Sequence, residues 1–189
     1  MKNGNRILIA VAVTLAAATL VKASKKEDTP PLNVVPSVDL KKYAGKWYEI
    51  ARLPNSFQKN CAGDVTATYT PRPDGKIGVL NECREKNGDT KKAEGLARVA
   101  SENEPNTKLK VRFAPSFLSF LPFAWGDYWM IELAPDYSHV VVGTPSRKYL
   151  WVLARTPRMD ESLYKELLDK AAAQGFDTKR VAKTEQRGS

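Results

Sequence analysis

Few side chains in this chain of 189 residues could do redox, nucleophilic or metal chemistry. Its cysteines are Cys61 and Cys83, and its one histidine is His139. An even pair of cysteines in an exported protein is more often a disulfide than a metal site, so we expect these two to be bridged. One imidazole cannot assemble a zinc site or a triad. We therefore predict no metal, no cofactor and no catalytic residue. The alternative is an enzyme that uses a free thiol at Cys83, which has inward parity.

A second unusual group of side chains is apolar and could contact a lipid. The segment 117–125 carries six large apolar residues without the alternation of a strand: Phe117, Leu118, Phe120, Leu121, Phe123 and Trp125. A contiguous apolar patch on a loop is typical of a ligand portal or a membrane contact. The alternative is that the loop folds inward and caps a cavity.

The N-terminus has the features of an export signal. Lys2 and Arg6 precede the uncharged stretch 7–21, and Val21-Lys22-Ala23 resembles a cleavage site. We predict a signal peptide over 1–23, a flexible polar linker over 24–36 and one domain over 37–186. An uncleaved membrane anchor is the alternative for the first segment. No cysteine that could carry a lipid follows the apolar stretch, so lipid anchoring is not expected.

The positive net charge of the chain favours an anionic surface as a partner. The whole chain has a net charge of +9, and removal of 1–23 would take away three lysine or arginine residues and leave +6. The remaining basic residues are dispersed, and no nucleic-acid-binding motif accompanies them, so we predict no nucleic-acid partner.

Short segments with a period of two fill the middle of the chain, which indicates strands with one buried face. Together with 46–52 and three more apolar segments at 128–133, 140–143 and 149–155, they make eight strands at hairpin spacing. The residues assigned to the inner face are Val65, Ala67, Tyr69, Ile77, Val79, Asn81, Cys83, Gly95, Ala97, Val99, Leu109, Val111 and Phe113.

One helix is predicted after the last strand. Asp160 can cap its N-terminus and Gly175 can end it. Its apolar residues form a single stripe, so the helix must pack on another element, and the outside of a barrel is the available partner. The stripe consists of Leu163, Tyr164, Leu167, Leu168 and Ala171.

Eight antiparallel strands in sequence order can close on themselves, which removes both edges of the sheet. We predict an all-β protein, an eight-stranded up-and-down antiparallel β-barrel with one C-terminal α-helix packed outside. Its interior can be filled by side chains or hold one small ligand. Because the small inward residues Ala67, Gly95 and Ala97 leave volume unfilled, we expect a ligand cavity.

Three motifs resemble the signatures of the lipocalin family in their order. Gly45 and Trp47 match the Gly-x-Trp of the first strand, Asp136-Tyr137 follows the sixth strand, and Arg155 ends the eighth. Short sequence segments within 37–186 are similar to segments of bacterial outer-membrane lipocalins, plant temperature-induced lipocalins and apolipoprotein D. The resemblance implies that Trp47 seals one end of the barrel and that Arg155 lies against its ring.

The resemblance implies a lipid-binding or transport protein of the periplasm or outer membrane, active in membrane maintenance or stress response. It would hold a fatty acid, a lysophospholipid or a similar apolar ligand, as a monomer or weak homodimer. A haem or siderophore carrier is a further alternative, although no inward basic residue besides Arg155 is predicted and His139 falls near the sealed end. The predicted ligand-binding residues are Tyr69, Asn81, Trp151, Val79, Ala67 and Phe113.

Overall fold

The computed structural model describes residues 30–113 and 124–187. The predicted signal peptide, residues 24–29 of the predicted linker, and five of the six predicted portal residues lie outside the described residues. These five are Phe117, Leu118, Phe120, Leu121 and Phe123. Within the described ranges, no helix is long and apolar enough to cross a membrane.

The predicted eight-stranded antiparallel barrel is confirmed. Neighbouring strands pair in sequence order, and β1 pairs with both β2 and β8, which closes the sheet. The strands are β1 (Gly45–Arg52), β2 (Cys61–Pro71), β3 (Ile77–Glu85), β4 (Thr90–Val99), β5 (Lys108–Arg112), β6 (Gly126–Leu133), β7 (His139–Gly143) and β8 (Leu150–Ala154).

The strand directions define two ends of the barrel. The loops 53–60, 86–89 and 144–149 lie at one end, which we call the mouth, together with the end of β5 and the start of β6, and β1 begins at the other, the closed end. The strand pairing agrees with the predicted alternation of inward and outward residues. Tyr69 lies opposite Val79, and Ala67 lies opposite Asn81, so residues predicted to face inward pair with one another. Tyr69, Val79 and Ala67 are all buried.

The C-terminal helix α2 (Glu161–Ala173) packs on the outside of the barrel, as predicted. The carboxylate of Asp160 accepts hydrogen bonds from the backbone N–H groups of Ser162 and Leu163 and so caps the helix. The buried stripe of α2 joins a core with outward residues of β1, β7 and β8. Phe176 completes this core against Gly143, where a Cβ atom would lie 2.5 Å from the phenylalanine ring.

Two terminal segments add to the barrel in ways that the sequence did not predict. A one-turn helix α1 (Leu40–Tyr43) precedes β1, and a two-residue strand β9 (Ala182–Lys183) pairs with β1. Beyond β9, the side chain of Gln186 donates to the carbonyls of Glu49 and Val65, both at 2.9 Å. The C-terminus therefore bridges β1 and β2 where their direct pairing has ended.

Residues 30–36, predicted as part of a flexible linker, lie in contact with the barrel instead. Leu32 is 5% exposed and belongs to the core beneath α2. The N–H of Val35 donates to the carbonyl of Met130 at 2.9 Å, and Thr107 Oγ1 donates to the Val35 carbonyl at 2.6 Å. The buried side chain of Leu32 and the paired backbone groups outweigh the polar composition from which a linker was inferred.

The closed end is sealed by Trp47, which is fully buried. Its indole N–H donates to the carbonyl of Tyr43 at 2.8 Å. The guanidinium carbon of Arg155 lies 3.9 Å from the centre of the Trp47 ring, which is cation–π geometry. Arg155 also donates to five backbone carbonyls, those of Lys42, Tyr43, Ala44, Lys46 and Tyr137.

Replacing Trp47 by alanine should therefore lower the free energy of unfolding by about 3–5 kcal/mol, the usual cost of emptying a large buried aromatic site. Equilibrium unfolding in urea measures the change. The control is Phe57→Ala, because Phe57 is 56% exposed and its loss should leave stability nearly unchanged. Equal unfolding midpoints for Trp47→Ala and the wild type would contradict the role of Trp47.

Candidate functional site

The barrel encloses a cavity of about 560 Å³ that opens toward the mouth. This volume is within the usual range for sites that take small organic ligands. All six residues that the sequence assigned to ligand binding line it: Tyr69, Asn81, Trp151, Val79, Ala67 and Phe113.

The wall of the cavity is mainly apolar. Small side chains at Ala67, Ala93 and Ala97 leave the central space empty, and Leu109 and Val111 extend the apolar surface along β5. The predicted role of Gly95 needs correction, because the ring of Phe113 covers this glycine and would lie 2.7 Å from a Cβ atom there. The glycine thus makes room for an aromatic side chain rather than for ligand.

Three tyrosine hydroxyls meet at the floor of the cavity, next to Trp47. The hydroxyl oxygen of Tyr128 lies 2.6 Å from that of Tyr43 and 2.8 Å from that of Tyr69. The Tyr43 ring centre is 4.8 Å from that of Trp47 and 5.2 Å from that of Tyr69. Tyr69 and Tyr128 line the cavity, and Tyr43 lies behind them.

Burial is the main cause that shifts the acidity of this tyrosine cluster. It raises the pKa of Tyr69 to about 12, and it raises the pKa values of Tyr43 and Tyr128 well above the ordinary phenol value. All three hydroxyls therefore stay protonated at neutral pH. The floor of the cavity offers neutral O–H groups and no negative charge.

A carboxylate lies in the cavity wall nearer the mouth. Glu49 is 2% exposed, although it belongs to the set of residues that line the cavity. Its carboxylate accepts hydrogen bonds from Arg52 Nη1 and Thr184 Oγ1, and from Gln58 Nε2 at 2.7 Å. The same glutamine accepts the indole N–H of Trp151 at 3.0 Å. Each polar group in this network is paired, as burial demands.

The predicted disulfide is confirmed: Cys61 and Cys83 are joined by an S–S bond of 2.01 Å. It fastens the end of loop 53–60 to β3, and a cross-link over this sequence separation stabilises a fold by about 3 kcal/mol. The bond also occupies both sulfur atoms, so Cys83 lines the cavity without a free thiol. The geometry gives no support to a thiol-based enzyme.

Aromatic side chains surround the mouth. Phe57 is 56% exposed, and its ring centre lies 5.5 Å from that of Tyr149 and 6.1 Å from that of Trp151. Trp125, the described member of the predicted portal, has the guanidinium groups of Arg98 and Arg112 at 4.7 and 5.1 Å from its ring centre. These distances are typical of cation–π contacts.

His139, the candidate axial ligand for a haem, lies away from the cavity. His139 begins β7 at the closed end, contacts Ser138 Oγ at 3.1 Å, and is not part of the cavity lining. Within 30–113 and 124–187, no group of three or more potential metal-ligating side chains occurs. One expectation was wrong: Lys91 lines the cavity, so Arg155 is not the one inward basic residue.

Sequence reasoning missed Tyr43, Tyr128, Glu49 and Gln58 as parts of this site. Glu49 could have been predicted from the sequence. It lies two residues from Trp47 on the same strand, so its side chain faces the same side, the barrel interior. The remaining three gave no such signal: Tyr43 precedes the first strand, Gln58 lies in a loop, and Tyr128 lies in a strand that is apolar on both faces.

Comparison with known proteins agrees with this architecture. The lipocalin-like domain family model matches residues 38–186. The chain is 45% identical to temperature-induced lipocalin-1 of Arabidopsis thaliana, over 82% of this chain and 83% of the relative. It is 37% identical to outer membrane lipoprotein Blc of Escherichia coli strain K12, over 97% and 99%. It is 32% identical to apolipoprotein D of Mus musculus, over 84% and 81%.

Solved structures show the same fold at lower sequence identity. Apocrustacyanin C1 superposes with a TM-score of 0.63 at 19% identity and covers 80% of this chain and 81% of its own. Insecticyanin of the tobacco hornworm Manduca sexta superposes with a TM-score of 0.59 at 22% identity, over 82% and 85%. The closed barrel, the three signature motifs and the match over almost all of the described chain place this protein in the lipocalin family.

Proposed function

We propose that this protein binds and carries a single-chain lipid, such as a fatty acid or a lysophospholipid, in the barrel cavity. The observation that carries the proposal is the cavity itself, about 560 Å³ of mostly apolar space that opens at one end. A void of this size in a core is costly unless a ligand fills it. Each buried methylene group of a ligand contributes about 0.8 kcal/mol before the costs of ordering.

The names of the relatives support a lipid ligand and a place in the cell envelope. One relative is an outer membrane lipoprotein, another an apolipoprotein, and a third a temperature-induced protein. By this likeness we extend the proposal to an exported protein that serves membrane maintenance under stress. We propose no catalytic role, and we propose a monomer or weak homodimer as the working form.

The affinity for acyl ligands should rise with chain length until the cavity is full, because each added methylene buries more apolar surface. Quenching of tryptophan fluorescence across a series of saturated fatty acids measures this trend. Trp151→Ala should weaken binding about tenfold or more, as loss of a large wall residue implies.

The control variant for this series is Trp129→Phe. Trp129 packs toward the core beneath α2 and is not part of the cavity lining, so its replacement should leave affinity unchanged. A flat response across the series would contradict an apolar binding cavity, and unchanged affinity in Trp151→Ala would remove that residue from the site.

We further propose that the mouth contacts anionic membranes. Phe57 is exposed there, and the exposed lysines Lys59, Lys86 and Lys148 belong to three different mouth loops. In the sequence, the apolar residues of 117–123 stand between β5 and β6. Apolar side chains surrounded by cations favour the interface of an anionic bilayer, where apolar burial and electrostatic attraction act together.

Changing Phe120 and Phe123 together to serine should reduce binding to anionic vesicles about tenfold or more, at roughly 1.5–3 kcal/mol per apolar side chain fully buried. Affinity for a soluble fatty acid should stay nearly intact. Co-sedimentation with phosphatidylglycerol vesicles measures the first quantity, and vesicles of phosphatidylcholine give the electrostatic control.

A matched variant changes Leu80 and Leu96 to serine, because both lie on the outer barrel wall away from the mouth. This variant should bind vesicles like the wild type. If the Phe120 and Phe123 double variant co-sediments as fully as the wild type, or loses ligand affinity alone, the loop is a lid and not a membrane contact.

A further inference from the structure

The loop between β1 and β2 lies at the mouth and contributes Phe57 and Gln58 to the cavity lining. Its two ends are anchored separately, because the N–H of Leu53 donates to a carbonyl of β8 at 2.9 Å and the disulfide holds Cys61. Between these anchors, residues 54–60 of the described chain reach β1 and β8 through two hydrogen bonds, and both involve the side-chain amide of Gln58. This amide therefore fastens the middle of the loop to the barrel wall.

The direction of the Gln58 amide follows from the chemistry of its partners. The indole N–H of Trp151 can only donate, so it faces the amide oxygen at 3.0 Å, and Asn55 Nδ2 donates to the same oxygen at 2.8 Å. The carboxylate of Glu49 can only accept, so it faces the amide nitrogen at 2.7 Å. A glutamine supplies the acceptor and the donor on one planar group, whereas a methionine or a glutamate of similar length supplies at most one of them.

One half of this contact is fixed in the barrel wall. Glu49 lies in β1, is 2% exposed and forms an ion pair with Arg52. Arg52 and Thr184 both donate to its Oε1 atom, which leaves Oε2 to the Gln58 amide. Hydrogen bonds to a charged group are stronger than those between neutral groups. The loop is therefore held by a strong contact that needs a carboxylate on β1 and an amide on the loop.

The ring of Trp151 depends on the same amide. Its centre lies 6.1 Å from that of the Phe57 ring and 5.9 Å from that of the Tyr149 ring, and all three side chains line the cavity. Without the Gln58 oxygen, the half-buried indole N–H would lose its acceptor, which is unfavourable unless the ring turns toward another one. Gln58 therefore sets the orientation of an aromatic group that faces the cavity.

We infer that Gln58 is a positioning residue of the ligand site, which fixes the Trp151 ring in the cavity wall and keeps the loop closed over a bound lipid. The inference rests on the proposed lipid-binding function and assigns control of ligand release to the pairing of Gln58 with Glu49. A lipid that leaves through the mouth has to displace Phe57 and Trp151, which both lie beside Gln58. Because differences in affinity among variants of one site lie mostly in the dissociation rate, loss of this pairing should shorten the lifetime of the complex.

Exchanging the two side chains tests the inference, because the geometry allows the same contacts with the groups reversed. In the double variant Glu49→Gln with Gln58→Glu, the amide at position 49 can keep its oxygen toward Arg52 and donate through its nitrogen to the carboxylate at position 58. That carboxylate can still accept from Trp151 and Asn55. Gln58→Glu alone places two carboxylates face to face, and Glu49→Gln alone places two NH₂ groups face to face.

The measured quantity is the dissociation rate of cis-parinaric acid, a fatty acid that fluoresces when bound, on stopped-flow displacement by excess palmitic acid. Near-ultraviolet circular dichroism of the ligand-free protein reports the setting of the tryptophan rings, and thermal melting verifies that each variant is folded. The control is Asn60→Ala, which changes an exposed residue of the same loop.

Each single variant should release the probe about tenfold faster than the wild type, the effect of losing one hydrogen bond to a charged group, and the double variant should restore the wild-type rate. The tryptophan signal should change in the single variants and return in the double variant. Asn60→Ala should release the probe like the wild type.

Release at the wild-type rate in both single variants would overturn the inference even if they melt earlier, because Gln58 would then serve stability alone. Equally fast release in the single and double variants would overturn it as well, since the pairing would then not matter. If neither fatty acid binds the wild type, the proposed function itself fails. The tryptophan signal then still tests whether Gln58 positions Trp151, and an unchanged signal in the single variants would contradict it.

Discussion

The contact between Arg155 and Trp47 is the constraint on which the rest of this barrel depends. An eight-stranded barrel that keeps an empty interior cannot rely on a continuous core to hold its strands together. Here, contacts at the closed end hold the strands together. Arg155 lies on the Trp47 ring and donates to carbonyls of α1, β1 and the turn before β7, so one side chain links three separate segments. The guanidinium group of arginine is planar and has several donors in fixed directions, so it can bind carbonyls of all three segments at once. A lysine could not do this.

Toward the mouth, the barrel is held together by contacts that enclose the cavity without filling it. The disulfide and Gln58 both fasten the loop 53–60 to the barrel, one through β3 and one through Glu49 and Trp151. The C-terminus covers the opening seam between β1 and β2 through Gln186. Because these contacts lie at the rim or outside the wall, they stabilise the barrel and leave its interior available.

The sequence predicted those features that depend on local pattern. The inward positions of Tyr69 and Val79 followed from period two, because only one face of those strands is buried. The same rule failed at β6, where Tyr128 and Met130 face the barrel interior while Trp129 and Ile131 face the core beneath α2. With both faces apolar, alternation carries no information about direction. The cluster around Tyr43 and the seam closed by Gln186 depend on residues far apart in the chain, which no local pattern reveals.

The cavity holds two kinds of buried polar group, a charged network toward the mouth and a neutral cluster at the floor. The carboxylate of Glu49 has three protein donors around it, so its role is to tie Gln58, Thr184 and Arg52 to the wall. A polar group whose partners all come from the protein adds stability and geometry but no selectivity. The tyrosine cluster is likewise paired within the protein, because the hydroxyl of Tyr128 contacts those of Tyr43 and Tyr69 at 2.6 and 2.8 Å. Both polar groups therefore fix the two ends of the cavity, the Glu49 network toward the mouth and the tyrosine cluster at the floor, next to the Trp47 ring that Arg155 holds in place. The wall between them is mainly apolar, and apolar walls discriminate ligands by length and shape.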